Sequence, residues 1–278
     1  MPPAARVADP TGHGPPLNPG PGSPDILIGY MPAWRALPSS VGGAVESASK
    51  DMNSFMTTPV LTPASAASKI VKISTGLVQA GAQAAAEMNP AAASAAASSV
   101  VTLNATNISL TAAWTAASAV PGGQPAANTA YTEGIKAAAA TAATATFGAI
   151  GGMTDMHNCP VPVPIPPHGP GMVTKASTTV IFNNLPACRQ DDQLFEAAGG
   201  ADPIAMGEQT VLIGDETGSG GPAPQAGWGE GETEDGEQLD AQQSEEAVSQ
   251  AQSAEASFAG AAYYGTPLVE RCAPCDGV

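Results

Sequence analysis

Ser23-Pro24-Asp25-Ile26-Leu27-Ile28-Gly29-Tyr30-Met31-Pro32-Ala33-Trp34-Arg35 decides the reading of this chain, because it returns without gaps as Ser177-Thr178-Thr179-Val180-Ile181-Phe182-Asn183-Asn184-Leu185-Pro186-Ala187-Cys188-Arg189. Ser, Pro, Ala and Arg are identical, and the triplets Ile26-Leu27-Ile28 and Val180-Ile181-Phe182 coincide. Glu208-Gln209-Thr210-Val211-Leu212-Ile213-Gly214-Asp215 repeats the strand and turn 31 residues after the second copy. Each copy reads as a strand of about four residues closed by a tight turn at Gly or Asn. One such strand cannot bury its apolar face alone, whereas several stacked around a shared axis can. The first two copies lie 154 residues apart, against 31 for the next pair, so residues 39–150 read as an insertion. The flanks, 1–38 and 151–217, then read as two halves of one small β domain.

The composition is a mosaic on the same boundaries. The chain has 278 residues, with 31 Gly and 27 Pro, 4% aromatic and 12% charged residues, against about 25% charged in an average domain. Alanine inflates the hydrophobic fraction and contributes little burial energy per residue. This argues against one uniform enzyme domain. Residues 1–190 carry 8 basic and 7 acidic side chains, whereas 191–278 carry 1 basic and 18 acidic. An acidic chain without a basic stripe is a poor nucleic-acid binder. Met1-Pro2-Pro3-Ala4-Ala5-Arg6 leads into Pro and Gly and not into an apolar run, so no signal peptide is expected and synthesis is expected in the cytoplasm.

The three histidines, His13, His157 and His168, all sit in the flanks on Pro/Gly-rich segments, and one belongs to His157-Asn158-Cys159. His-x-Cys sets two side chains on the same side of an extended strand. Three imidazoles and one thiolate make a tetrahedral zinc site of the structural kind. A small domain with few aromatics gains stability from a metal that ties its loops. Iron also accepts imidazole. The competing reading is three solvated loop histidines and a free thiol.

The repeats and the opening together resemble PAAR-repeat proteins, the sharp tips of contractile injection machines such as type VI secretion systems. Pro3-Ala4-Ala5-Arg6 is the name motif, and Ala4 to His13 fits the pattern Ala-Ala-Arg-x-x-Asp-x-x-x-His. Thr154-Asp155-Met156-His157-Asn158-Cys159-Pro160 looks like the family's Gly-Asp-Met-His-x-Cys-Pro segment, with Thr154 where glycine is usual. Pro32-Ala33-Trp34-Arg35 and Pro186-Ala187-Cys188-Arg189 look like degenerate copies of the name motif. The resemblance implies a small metal-pinned cone of short β-hairpins; with the Ala/Ser-rich α-helical insertion that interrupts it and the mostly disordered acidic tail, both read from composition, the expected fold class is mainly β. The resemblance implies His13, His157, Cys159 and His168 as metal ligands, with zinc or iron as the metal. It also implies a mechanical role and no enzyme activity: the cone caps a spike trimer (a valine-glycine-repeat or phage spike-like protein) and sharpens it for membrane puncture. The particle would be assembled in the cytoplasm and delivered outside the cell or into a target cell, touching the target membrane transiently. Four protein ligands would leave no open position for a zinc enzyme.

The rest of the chain departs from a minimal tip. Ala64 to Met88, Ala91 to Val120 and Asn128 to Ile150 read as three helices, split at Asn89-Pro90 and at Pro121 to Pro125. No charge occurs from Asn89 to Thr132, yet Ser, Thr and Asn dilute the apolar residues. Two readings stay open: a soluble helical module, or a membrane-inserting element of a PAAR-headed effector. Trp114 reads as a packing anchor and Cys188 as a small packing residue. Residues 218–246 read as a solvated acidic linker. Residues 247–278 read as a tail with a short helix near Ser244 to Ala262, and the insertion or the tail could recruit effector cargo. Cys272 and Cys275 have C-x-x-C spacing, which leaves a local metal or a disulfide open.

Overall fold

A computed structural model describes residues 1–162 and 167–214. The expected linker over 218–246 and tail over 247–278, with its helix and Cys272 and Cys275, lie outside the described residues. The described strands are short: β1 (Pro3–Ala4), β2 (Pro19–Gly20), β3 (Leu27–Ile28), β4 (Met31–Pro32), β5 (Met156–Pro162), β6 (Pro167–Val173), β7 (Ile181–Phe182), β8 (Leu185–Pro186), β9 (Gln193–Glu196), β10 (Gly200–Pro203) and β11 (Glu208–Leu212). The helices are α1 (Ser39–Thr57), α2 (Pro63–Ala86), α3 (Pro90–Ser118) and α4 (Gln124–Ile150).

The expected mainly β class is wrong. The described residues are about 49% helix and 23% strand, a mixed α/β fold. The repeats and the name motifs lie in the flanks, but the insertion contributes longer elements than any strand. It also holds a helix that the sequence reading left out, α1. Gly42-Gly43 and Asn53 weaken helix propensity there. Packing overrides this, because Val41, Val45, Met52, Phe55 and Met56 are buried on one face.

The two aligned stretches adopt one structure. Gly29-Tyr30 and Asn183-Asn184 all have positive φ, the signature of a two-residue hairpin turn. These turns join β3 to β4 and β7 to β8, pairing Leu27 with Pro32 and Ile181 with Pro186. In the third copy β11 pairs with β1 instead, setting Leu212 opposite Pro3. Each Pro-Ala of a name motif thus has its own aliphatic strand.

The three motifs then close a ring. Ala5 N donates to Cys188 O, Cys188 N to Trp34 O and Trp34 N to Ala5 O, at 2.9, 3.0 and 2.9 Å. One step along, Val7 N donates to Pro32 O, Ala36 N to Pro186 O and Gln190 N to Pro3 O. Ala4, Ala33 and Ala187 are buried in one layer with Ile28 and Ile213. Ala5, Trp34 and Cys188 are buried in the next, with Leu17, Val173, Leu194 and Ile204.

Each motif arginine holds an aspartate with its backbone N–H and its guanidinium. The pairs are Arg6 with Asp9, Arg189 with Asp192, and Arg35 with Asp155. In the first and third name motifs, Pro3 to Arg6 and Pro186 to Arg189, the aspartate follows three residues after the arginine, past a residue of positive φ, Ala8 or Asp191. In the second, α1 to α4 intervene between Arg35 and Asp155. The insertion is anchored at both ends: Leu37 N donates to Val173 O, and Thr154 Oγ1 to Arg35 O.

The remaining strands form one antiparallel sheet in the order β10-β9-β6-β5-β2. The helices pack on it. Their core of Phe55, Ile73, Leu77, Leu103, Tyr131, Ile135 and Phe147 includes Met172, Ala197 and Ala198 from the strand side. Thr62 caps α2 reciprocally with Ser65, and Pro63 takes the first helical position. At Gly81 any Cβ would strike Ala96 Cβ and Ala92 O, so α2 and α3 approach at van der Waals limits. Hydroxyls of Thr102, Thr106, Ser109 and Thr115 donate to carbonyls four residues back, which satisfies them without neighbours. Trp114 packs on the helical core and its Nε1 donates to Asn128 Oδ1. Among the described residues no helix is long and apolar enough to cross a membrane.

Candidate metal centre

The ring sets a register that runs outward into the site. Four residues after each arginine-bound aspartate stands a candidate ligand: His13 after Asp9, Cys159 after Asp155, Glu196 after Asp192. His13 lies on a loop whose backbone N–H donates to Asp202 Oδ1 at 2.9 Å. His157 and Cys159 alternate along β5, and opposite them in β6 stand Gly171 and Gly169. A Cβ at Gly171 would press on Glu196 Cγ and one at Gly169 on Thr144 Oγ1, so the two glycines leave room for the Glu196 side chain and for α4. Gly199 likewise leaves room at the β9–β10 turn, where a Cβ would strike Glu196 Oε2 and the His168 ring. Ser49 Oγ of α1 donates to Glu196 O at 2.6 Å and fixes that strand end from the helical side.

His13, Cys159, His168 and Glu196 form one grouping that can hold a metal ion. His13 Nδ1 and His168 Nδ1 are 3.2 Å apart, and Cys159 Sγ lies 3.9 and 3.7 Å from them. Zinc–nitrogen bonds of about 2.0–2.1 Å and a zinc–sulfur bond of about 2.3 Å give tetrahedral edges of about 3.3 and 3.6 Å. The triangle has nearly those dimensions. Glu196 Oε2 completes the group, 3.2 Å from His13 Nδ1 and 2.5 Å from His168 Nδ1.

His157 belongs to a second grouping, with Glu196 and Asp202. Its Nδ1 is 2.9 Å from Pro16 O and its Nε2 is 3.9 Å from Glu196 Oε1. Of the four residues expected as ligands, the structure therefore gathers His13, Cys159 and His168 directly and places His157 alongside. Glu196 and Asp202 were not foreseen. The signal for Glu196 was present in the spacing from Arg189-x-x-Asp192, which matches that from Arg6-x-x-Asp9 to His13.

The electrostatics favour a cation. Burial works against the Glu196 anion, yet hydrogen bonds from His13, His168 and Cys159 bring its pKa down to about 2. Hydrogen bonding to Glu196 raises His13 against its own burial. Burial lowers His157, which keeps it neutral and able to ligate. Burial pushes the Cys159 thiol up to about 12, so a thiolate forms there when a metal displaces the proton. Comparison with family models, with curated proteins and with solved structures gives no match.

Proposed function

We propose that the chain is the metal-bound apical tip of a contractile injection particle, seated by its repeat face on a spike trimer. The observation that carries this reading is the ring. Its three motifs present an aliphatic side chain at equivalent positions, Leu27, Ile181 and Leu212, exposed to 61%, 61% and 54%. Apolar residues in the open, repeated around one ring, suit a partner with a three-fold end. Tyr30, at the β3–β4 turn, is 96% exposed and in the left-handed region.

Zinc suits the donor set, since imidazole with thiolate in a tetrahedral arrangement selects it over harder ions. The metal would join the His13 loop, β5, β6 and the end of β9, which otherwise meet through short ladders. The role is mechanical: load applied along the spike passes through a ring closed by backbone hydrogen bonds and a knot of ligands. That role requires no acid–base chemistry.

The test is co-expression with a trimeric spike protein encoded beside it, followed by mass measurement of the complex. One chain per trimer is expected. Leu27→Glu, Ile181→Glu and Leu212→Glu together are expected to weaken the complex by at least about 100-fold, with melting temperature unchanged. Equal binding by wild type and triple variant would remove the repeat face as the seat.

A further inference from the structure

We propose that this centre takes two divalent cations, the second held by His157, Asp202 and the remaining oxygen of Glu196, so that Glu196 is a carboxylate bridge. The inference rests on the metal-centre part of the reading above and is independent of the spike partner.

The first observation is the tautomer of His157. Pro16 O can only accept, so the Nδ1 facing it at 2.9 Å carries the hydrogen. Nε2 is then a bare lone pair. It is completely buried and has no hydrogen-bond partner. An imidazole whose far N–H is fixed on a backbone carbonyl is the usual state of a metal-ligating histidine.

The second observation is Asp202. Its Oδ1 accepts from His13 N, whereas its Oδ2 is buried without a hydrogen-bond partner and lies 3.5 Å from His13 Nδ1. The third is Glu196. Oε2 lies against His168, while Oε1 is 3.3 Å from His13 Nδ1 and also faces His157 Nε2 at 3.9 Å. A lone pair and a carboxylate oxygen facing each other repel unless something positive lies between them. Among the described residues, the ion-pair partners of both carboxylates are histidines. Leaving such groups unsatisfied destabilises the fold, the more so where they are charged.

The ligand sets separate chemically. Cys159 stands in the first grouping alone, His157 and Asp202 in the second alone, and Glu196 in both. The subsite with the thiolate prefers zinc. The nitrogen–oxygen subsite accepts zinc, iron(II) or manganese(II).

The experiment strips the full chain with a chelator, titrates Zn2+ back and counts bound ions by native mass spectrometry. Two per chain are expected for wild type. One is expected for Asp202→Asn, which keeps an acceptor for the His13 N–H. With Co2+ in place of zinc, the thiolate-to-cobalt absorption should persist in Asp202→Asn and vanish in Cys159→Ser. A wild type that saturates at one ion overturns the proposal, and so does an Asp202→Asn variant that still binds two. If Asp202→Asn does not fold, the wild-type count decides alone. A wild type that binds no ion overturns the metal centre itself, which separates the two failures.

Discussion

Asp155 is fully buried, and four donors converge on its carboxylate: Gly22 N, and Arg35 N, Nε and Nη2, at 2.7–2.9 Å. It ties the chain that leaves the helices to Arg35, in the chain that enters them. Asp155→Ala leaves the Arg35 guanidinium largely buried without its partner, a loss of about 3–5 kcal/mol. Urea unfolding of the variant should show that drop at an unchanged slope. Cys159→Ser should lower zinc affinity by more than about 100-fold, read by competition with a chromogenic chelator. The cysteine and the histidines were legible in the sequence because they are rare and stand in recognisable triplets. Glu196 and Asp202 were not. Each is one of 25 acidic residues, in the stretch where the chain turns acidic, and a carboxylate announces a ligand only through its register. Their burial, which makes them informative, is a property of the folded sheet.

At the scale of elements, boundaries were written in local chemistry and the reason for each element was not. Pro63, Pro90 and Pro125 each stand in the first turn of their helices, where a missing N–H costs nothing. The Thr62–Ser65 capping box contributes to where α2 begins, and Thr62→Ala should lower stability by about 1 kcal/mol, measurable as a lower urea midpoint. Proline and glycine likewise split α3 from α4. By contrast α1 depends on a face that packs against α2 and also against β9 and β10, and those strands lie far along the chain. The hairpins followed from short-range signals, Gly29-Tyr30 and Asn183-Asn184 between apolar runs. The pairing of β11 with β1 joins residues about 200 apart and rests on no turn signal.

Across the whole molecule, strand side and helical side share one core. Met172 and Ala197 neighbour the site strands and pack among the helices, so the ligands and the helices should not melt independently. Removing the metal with a chelator should lower the midpoint of a single transition, followed by helical circular dichroism, by about 5–10 °C. A helical transition that stays in place while the strand signal shifts would contradict this shared core. The mixed class has the same origin: the ring and sheet contain the motifs, and the inserted helices contain much of the apolar burial.

The closed ring has one more consequence, which concerns orientation. If the repeat face is the seat, as proposed, a single chain that repeats it three times can settle on a three-fold partner in three rotations, 120° apart. Leu27, Ile181 and Leu212 differ too little to choose strongly among them. The multiplicity adds about 0.65 kcal/mol to association. The four helices occur once per chain and would point in a different direction in each seating. A three-fold averaged reconstruction of the complex would therefore show the ring sharply and each helix at a third of its true density.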